Sequence, residues 1–115
     1  MKKFALFVFN GDPMCFIHVL LNALDMKNKG HEVRIILEGA SVKLIPELNK
    51  PDNPLNKVWG KALDLNLVEG VCKACSNKLG TIEDAKNQNL KLLDGMSGHP
   101  AISEYREKDF EIITF

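Results

Sequence analysis

The chain has 115 residues, with 15 basic and 15 acidic side chains and a formal net charge of zero. That length is near the commonest single-domain size, and 45% apolar residues suffice for a buried core, which excludes a disordered chain. Zero net charge, with Asp and Glu mixed among the Lys and Arg, argues against a nucleic-acid clamp, and no apolar run is long enough to span a bilayer.

Phe4-Ala5-Leu6-Phe7-Val8-Phe9 is continuously apolar, as a central strand covered on both faces would be. Met1-Lys2-Lys3 ahead of it gives the start a superficial likeness to a secretory signal. The apolar run is shorter than the ~7–15 residues such a signal needs, and Asn10-Gly11-Asp12-Pro13 ends it. Lys3 to Phe9 therefore reads as a buried strand, and the expected location is the cytoplasm.

Asp12 and Pro13 supply an N-cap and a first helical residue. The helix is expected to run to about Lys29 and end at Gly30 in a left-handed cap. Ile17, Leu20, Leu21 and Leu24 form its core stripe, and His18, Asn22, Asp25 and Lys29 its polar face. Glu32 to Leu37 is a second strand, which makes a right-handed βαβ unit. A short helix over Val42 to Leu48 precedes a loop from Asn49 to Pro54. Leu55, Val58, Trp59, Ala62 and Leu63 then have helical spacing, with an end near Leu67. Gly70 to Ala74 reads as a third strand, and Ser76 to Gly80 as a turn or a first helical turn. Thr81 with Asp84 matches a capping box and places a helix start at Ile82. Leu90 to Leu93 is either the end of that helix or a fourth strand. Pro100 opens a last helix to about Lys108, and Phe110 to Phe115 is a final strand. Alternating strands and helices of this kind give an α/β sandwich with a mainly parallel sheet, one domain over residues 1–115.

Ligands of open parallel sheets gather beyond the carboxyl ends of the strands. Asn10 to Met14, Glu38 to Ser41 and Cys75 to Gly80 emerge there. No G-x-G-x-x-G or G-x-x-x-x-G-K-[ST] occurs, and the Asp12 carboxylate would repel a phosphate, so nucleotide binding is disfavoured. Three cysteines, Cys15, Cys72 and Cys75, are too few and odd in number for a disulfide framework, and in a reducing compartment they are thiols. Each has a plain reading as a small core hydrophobe. Cys75, just beyond a strand at an incipient helix, and Cys15, in the first turn of the first helix, are both placed where backbone N–H groups favour a thiolate. Cys72 falls inside the third strand, where it is expected to be buried and inert. Cys72-Lys73-Ala74-Cys75 is formally C-x-x-C, but a strand position for its first cysteine conflicts with the helix-start geometry of thioredoxin-type redox sites. A zinc site lacks a second C-x-x-C; His18 lies on a polar helix face, His31 at a strand entry, and His99 before Pro100 reads as a loop residue.

Four stretches in order resemble the DsrE/DsrF-like family of small cytoplasmic sulfur-relay proteins. They are Phe4 to Asp12; Asn22-Ala23-Leu24 through Gly30-His31-Glu32-Val33 and on to Leu37-Glu38-Gly39-Ala40; Ala74-Cys75-Ser76-Asn77-Lys78-Leu79; and Glu111-Ile112-Ile113-Thr114-Phe115. The resemblance spans nearly the whole chain. It implies a three-layer α/β/α sandwich with a five-stranded parallel sheet, assembled into homo-oligomers. It also implies a persulfide on Cys75, loaded by a sulfur-donor protein and unloaded by an acceptor protein. Gly11, Asp12, Cys15, Ser76 and Asn77 are the expected binding residues around Cys75. Such a carrier requires no metal or cofactor, and no nucleic acid or membrane is expected as a partner. Cys72 and Cys15 depart from the family pattern and leave open a disulfide with Cys75. Two alternatives stand beside this expectation. One is a small-ligand or metal-binding module with Cys15, Cys75 and His99 as candidate ligands; the other is a non-catalytic oligomer subunit whose thiols only pack.

Overall fold

A computed structural model describes all of residues 1–115. In chain order the elements are β1 (Lys3–Val8), α1 (Pro13–Asn28), β2 (Glu32–Leu37), a 3-10 turn (Gly39–Lys43) running into α2 (Leu44–Leu48), α3 (Asn56–Asp64), β3 (Val68–Cys72), α4 (Lys73–Lys78), α5 (Ile82–Asn87), β4 (Leu92–Leu93), α6 (Ile102–Glu107) and β5 (Glu111–Thr114). The strands form one five-stranded sheet in the order β4-β3-β2-β1-β5, and every pairing is parallel.

Alternate residues of each strand feed two cores of unequal size, because successive strand side chains point to opposite faces. Leu6, Val8, Val33, Ile35, Leu37 and Val71 pack under α1, α2, α3 and α5, against Phe16, Leu20, Ile45, Leu48, Trp59 and Ala85. Ala5, Phe7, Ile36 and Leu93 face the other way, under Tyr105 of α6 and Phe110. The result is an α/β/α sandwich with one thick and one thin helical layer. The chain steps from β1 outward to β4, then returns to the far side of β1. Reversing direction while keeping right-handed crossovers requires the returning helix, α6, to lie on the opposite face.

Trp59 and Gln88 satisfy one another on the thick side. Trp59 Nε1 donates to Gln88 Oε1 at 2.9 Å, and Gln88 Nε2 donates to the Ile45 carbonyl at 2.8 Å, which ties α3, α5 and α2 together. Asp12 caps α1 as expected, its Oδ1 accepting from the Met14 N–H at 2.8 Å with Pro13 as the first helical residue. Gly30 ends the helix region with φ of +88°.

Several expectations shift. The buried stripe of α1 is Phe16, Val19, Leu20 and Ala23, one residue back from the expected set, and Leu21 is 50% exposed. The Val42–Leu48 helix is a 3-10 turn followed by one short α-helix. The Leu90–Leu93 segment resolves as the two-residue strand β4. Thr81 precedes α5, but its side chain makes no cap hydrogen bond. β3 ends at Cys72 instead of Ala74, and α4 begins at the next residue, which changes the geometry of both cysteines.

Candidate functional site

The carboxyl ends of β2 and β3 carry Glu38 and Cys72. At that edge Cys72 closes β3 and at the same time caps α4: its backbone is extended (φ −62°, ψ 121°), and its Sγ accepts from the Cys75 N–H at 3.4 Å. Cys75 lies one turn inside α4. The helix-start arrangement that a strand assignment for Cys72 would exclude is therefore present, because a single residue both terminates the strand and begins the cap.

The third member comes from far along the chain. Met96-Ser97-Gly98-His99 is a tight turn closed by Met96 N–H to the His99 carbonyl at 2.7 Å and His99 N–H to the Met96 carbonyl at 2.9 Å. Its central residues, Ser97 and Gly98, have φ of 49° and 88°, the pattern of the mirror-image hairpin turns. Gly98 suits that conformation at no steric cost, and its carbonyl accepts the Ala74 N–H at 2.8 Å. This bond clamps the turn to the start of α4. His99 Nδ1 consequently lies 3.0 Å from Cys72 Sγ and 3.8 Å from Cys75 Sγ. The ligating atoms of Cys72, Cys75 and His99 all fall within 4.8 Å of one another.

The two thiols differ in surroundings. Cys72 is fully buried, and burial is the main cause that pushes its thiol up to about 12; the neighbouring Cys75 and Glu38 act in the same direction, while the Cys75 N–H opposes them. Cys72 Sγ and His99 Nδ1 are within hydrogen-bond distance, and the imidazole tautomer sets which of the two donates. Cys75 is half-buried and opens onto a cleft of about 500 Å³ lined by Ala40, Lys43, Ala74, Lys78, Leu79 and His99, among others. Glu38 is buried beside this group. Burial pushes its carboxyl up from the ordinary value, and the charge of His99 partly offsets the shift. Ser41 holds the corner in place, its hydroxyl donating to the Val8 carbonyl at 2.7 Å and lying 2.8 Å from the Glu38 carbonyl.

The other expected site residues are distributed differently. Gly11 packs against the 3-10 turn so closely that a Cβ would come 2.8 Å from the Ala40 carbonyl oxygen, so its role is close approach of two loops. The Asp12 carboxylate is occupied as the α1 cap. Cys15 is exposed in the first turn of α1, 3.6 Å from Asn10 Nδ2, and does not line the cleft at Cys75. Ser76 is fully buried, its hydroxyl without a hydrogen-bond partner, so it cannot meet a bound molecule from the cleft. Asn77 is exposed but borders a neighbouring hollow with Lys73, Ile82 and Asp94. His18 stays on the exposed face of α1. His31 Nδ1 accepts from the Lys2 N–H at 3.0 Å. The residues that do assemble around Cys75 are thus Cys72 and His99, one read as an inert strand residue and the other as a loop residue. Of the earlier ligand trio, Cys72 stands where Cys15 was expected. The signal for His99 was Ser97-Gly98, a turn dipeptide that returns the next residue toward the sheet edge. A larger hollow, about 710 Å³, lies elsewhere, around His31, Arg34, Asn66 and Glu69, and is lined by no cysteine.

No protein-family model matches the sequence. Over 97 residues, 84% of this chain and 77% of the relative, it is 35% identical to the uncharacterized protein MJ0733 of Methanocaldococcus jannaschii. A 38-residue stretch, 33% of this chain and 62% of the relative, is 42% identical to an uncharacterized protein of Archaeoglobus fulgidus. The solved structure of BT1422, a conserved protein of unknown function from Bacteroides thetaiotaomicron, matches 98% of this chain and 95% of its own with a TM-score of 0.71. At 21% identity that likeness is one of fold. By the extent and identity of the first match, this chain belongs to the same family as the Methanocaldococcus jannaschii protein.

Proposed function

We propose that the protein is a sulfur carrier of the DsrE/DsrF type, with Cys75 as the residue that accepts and passes on a sulfane sulfur. The observation that carries this reading is the unequal pair of thiols. Cys75 opens onto the cleft between Lys43 and Lys78, whereas Cys72 is sealed beneath it. The Cys75 thiolate attacks the outer sulfur of a donor persulfide. The donor S–S bond breaks, the donor leaves as a thiolate, and Cys75 becomes a persulfide. An acceptor thiolate then attacks the outer sulfur, and Cys75 leaves as the thiolate. No net oxidation or reduction occurs. Lys43 and Lys78 at the cleft wall favour the anionic sulfur species at each stage.

Sulfur-donor and sulfur-acceptor proteins as partners, a cytoplasmic setting and assembly into homo-oligomers belong to the same proposal. No helix is long and apolar enough to cross a membrane. The test is persulfide labelling of the reduced protein after incubation with a low-molecular-weight persulfide. Labelling is expected in Cys72→Ala and Cys15→Ser and absent in Cys75→Ser; equal labelling of the Cys75 variant would reject the assignment.

A further inference from the structure

We propose that Cys72, Cys75 and His99 form a Zn²⁺ site with an open fourth position facing the cleft. The argument starts from distances. Zinc binds thiolate at about 2.3 Å and imidazole nitrogen at about 2.0–2.1 Å, so tetrahedral sulfur and nitrogen ligands sit roughly 3.5 Å apart. The two sulfur-to-nitrogen separations here, 3.0 Å and 3.8 Å, fall on either side of that value, and all three atoms lie within 4.8 Å of one another. The backbones that carry them are already fixed together by the Ala74 N–H to Gly98 carbonyl bond.

The surroundings fit a cation as well as the distances do. Two thiolates and a neutral imidazole balance the charge of Zn²⁺. The Cys75 N–H aimed at Cys72 Sγ supports that sulfur as a ligand, in the way outer-shell donors support metal-bound thiolates. Glu38, buried at the same strand edge, is near enough to His99 for their charges to interact. Two cysteines and one histidine with a fourth position left open is a ligand set zinc uses where an exogenous group must bind. Cys75 and His99 line the cleft, so that position is reached from solvent and flanked by Lys43 and Lys78, which favour an anionic fourth ligand such as a thiolate. A cation here engages the Cys75 sulfur, so metal occupancy and sulfur loading exclude each other. The site itself stands on the geometry and does not rest on the sulfur-carrier reading.

The experiment is anaerobic titration of the full, reduced, metal-free chain with Co²⁺, followed by displacement with Zn²⁺. One equivalent of Co²⁺ is expected to give an intense thiolate-to-cobalt charge-transfer band and the visible bands of a tetrahedral centre, both abolished by Zn²⁺. Cys72→Ser and His99→Ala each lower the affinity by more than about 100-fold, beyond the roughly 10–100-fold cost of losing a supporting partner. Glu38→Gln keeps the bands and weakens binding by about 10-fold, and Cys15→Ser changes nothing. His99→Ala, on a surface turn, carries the test if the buried Cys72 variant folds poorly by circular dichroism. Weak octahedral bands only, or unchanged bands in folded His99→Ala, would overturn the proposal.

Discussion

The opposite ends of the neighbouring strands β2 and β3 carry polar clusters of opposite character. Near the amino ends, Arg34 bonds Glu32 at 2.9 Å and Glu69 at 3.2 Å, and the Tyr105 hydroxyl donates to Glu69 at 2.8 Å. Arg34 also lies 4.7 Å from the centre of the Phe110 ring, which Lys3 approaches at 4.6 Å. Every charge in that cluster has a partner, and its balance of one guanidinium between two carboxylates leaves little to react. At the carboxyl ends, Glu38, Cys72, Cys75 and His99 are gathered without an ion pair to Lys or Arg. The first cluster closes the thin layer of the sandwich. The second sets two sulfur atoms and a ring nitrogen within 4.8 Å of one another beside an open cleft. The sheet itself makes the difference, since loops at the carboxyl edge connect strands to helices and bring residues from distant segments together.

The comparison breaks most sharply at Cys75. Cys75→Ser is expected to lose all sulfur loading while the midpoint of urea denaturation stays within experimental error, because the residue is half-buried and bears no structural bond through its sulfur beyond the 3.8 Å contact with His99. Arg34→Met should do the reverse. It leaves Glu32 and Glu69 without their cation and lowers stability by about 1–2 kcal/mol, discounted for partial exposure, with loading unaffected. Tyr105→Phe removes one hydrogen bond to Glu69 and costs about 1 kcal/mol, read from the same denaturation curves.

The smallest effect sharpens the role of burial at Cys72. Its thiol is held at about 12 in the fold against an ordinary 9.0. Above 9.0 the unfolded chain gives up this proton while the folded chain keeps it, so the unfolded state binds fewer protons. Stability of the metal-free protein therefore falls as pH rises from 9.0 toward about 12. The contribution between about pH 8 and about pH 10 is on the order of 1 kcal/mol. Denaturation of Cys72→Ala over the same range should show a correspondingly shallower decline; an identical slope would mean that Cys72 titrates as freely in the fold as outside it.

The scaffold was legible in the sequence where one signal dominated. The apolar run Phe4 to Phe9 marked a central strand, and Asp12-Pro13 marked the start of α1 with the cap that the structure shows. The α1 stripe slipped by one residue because Phe16, Ile17, Val19, Leu20, Leu21, Ala23 and Leu24 are all apolar, and a period of 3.6 fits two adjacent stripes among them. The candidate site was half legible. Cys75 beyond a strand was visible from local pattern. The junction of β3 and α4 was not, because no Ser, Thr, Asp or Asn marks the cap: a cysteine sulfur, rarely used for that purpose, takes the place. His99 joins the thiols through a turn 24 to 27 residues downstream, a separation over which hydrophobic periodicity carries no information.

The central claim is that the two cysteines of Cys72-Lys73-Ala74-Cys75 are chemically unequal and that position 75 receives sulfur. Lys73 lies between them, so trypsin releases Cys72 and Cys75 on separate peptides. Peptide mass spectrometry after brief exposure of the native, reduced protein to a persulfide donor should find one added sulfur atom on the Ala74–Lys78 peptide and none on the peptide ending at Lys73. Sulfur on the Cys72 peptide, or on neither, would contradict the account.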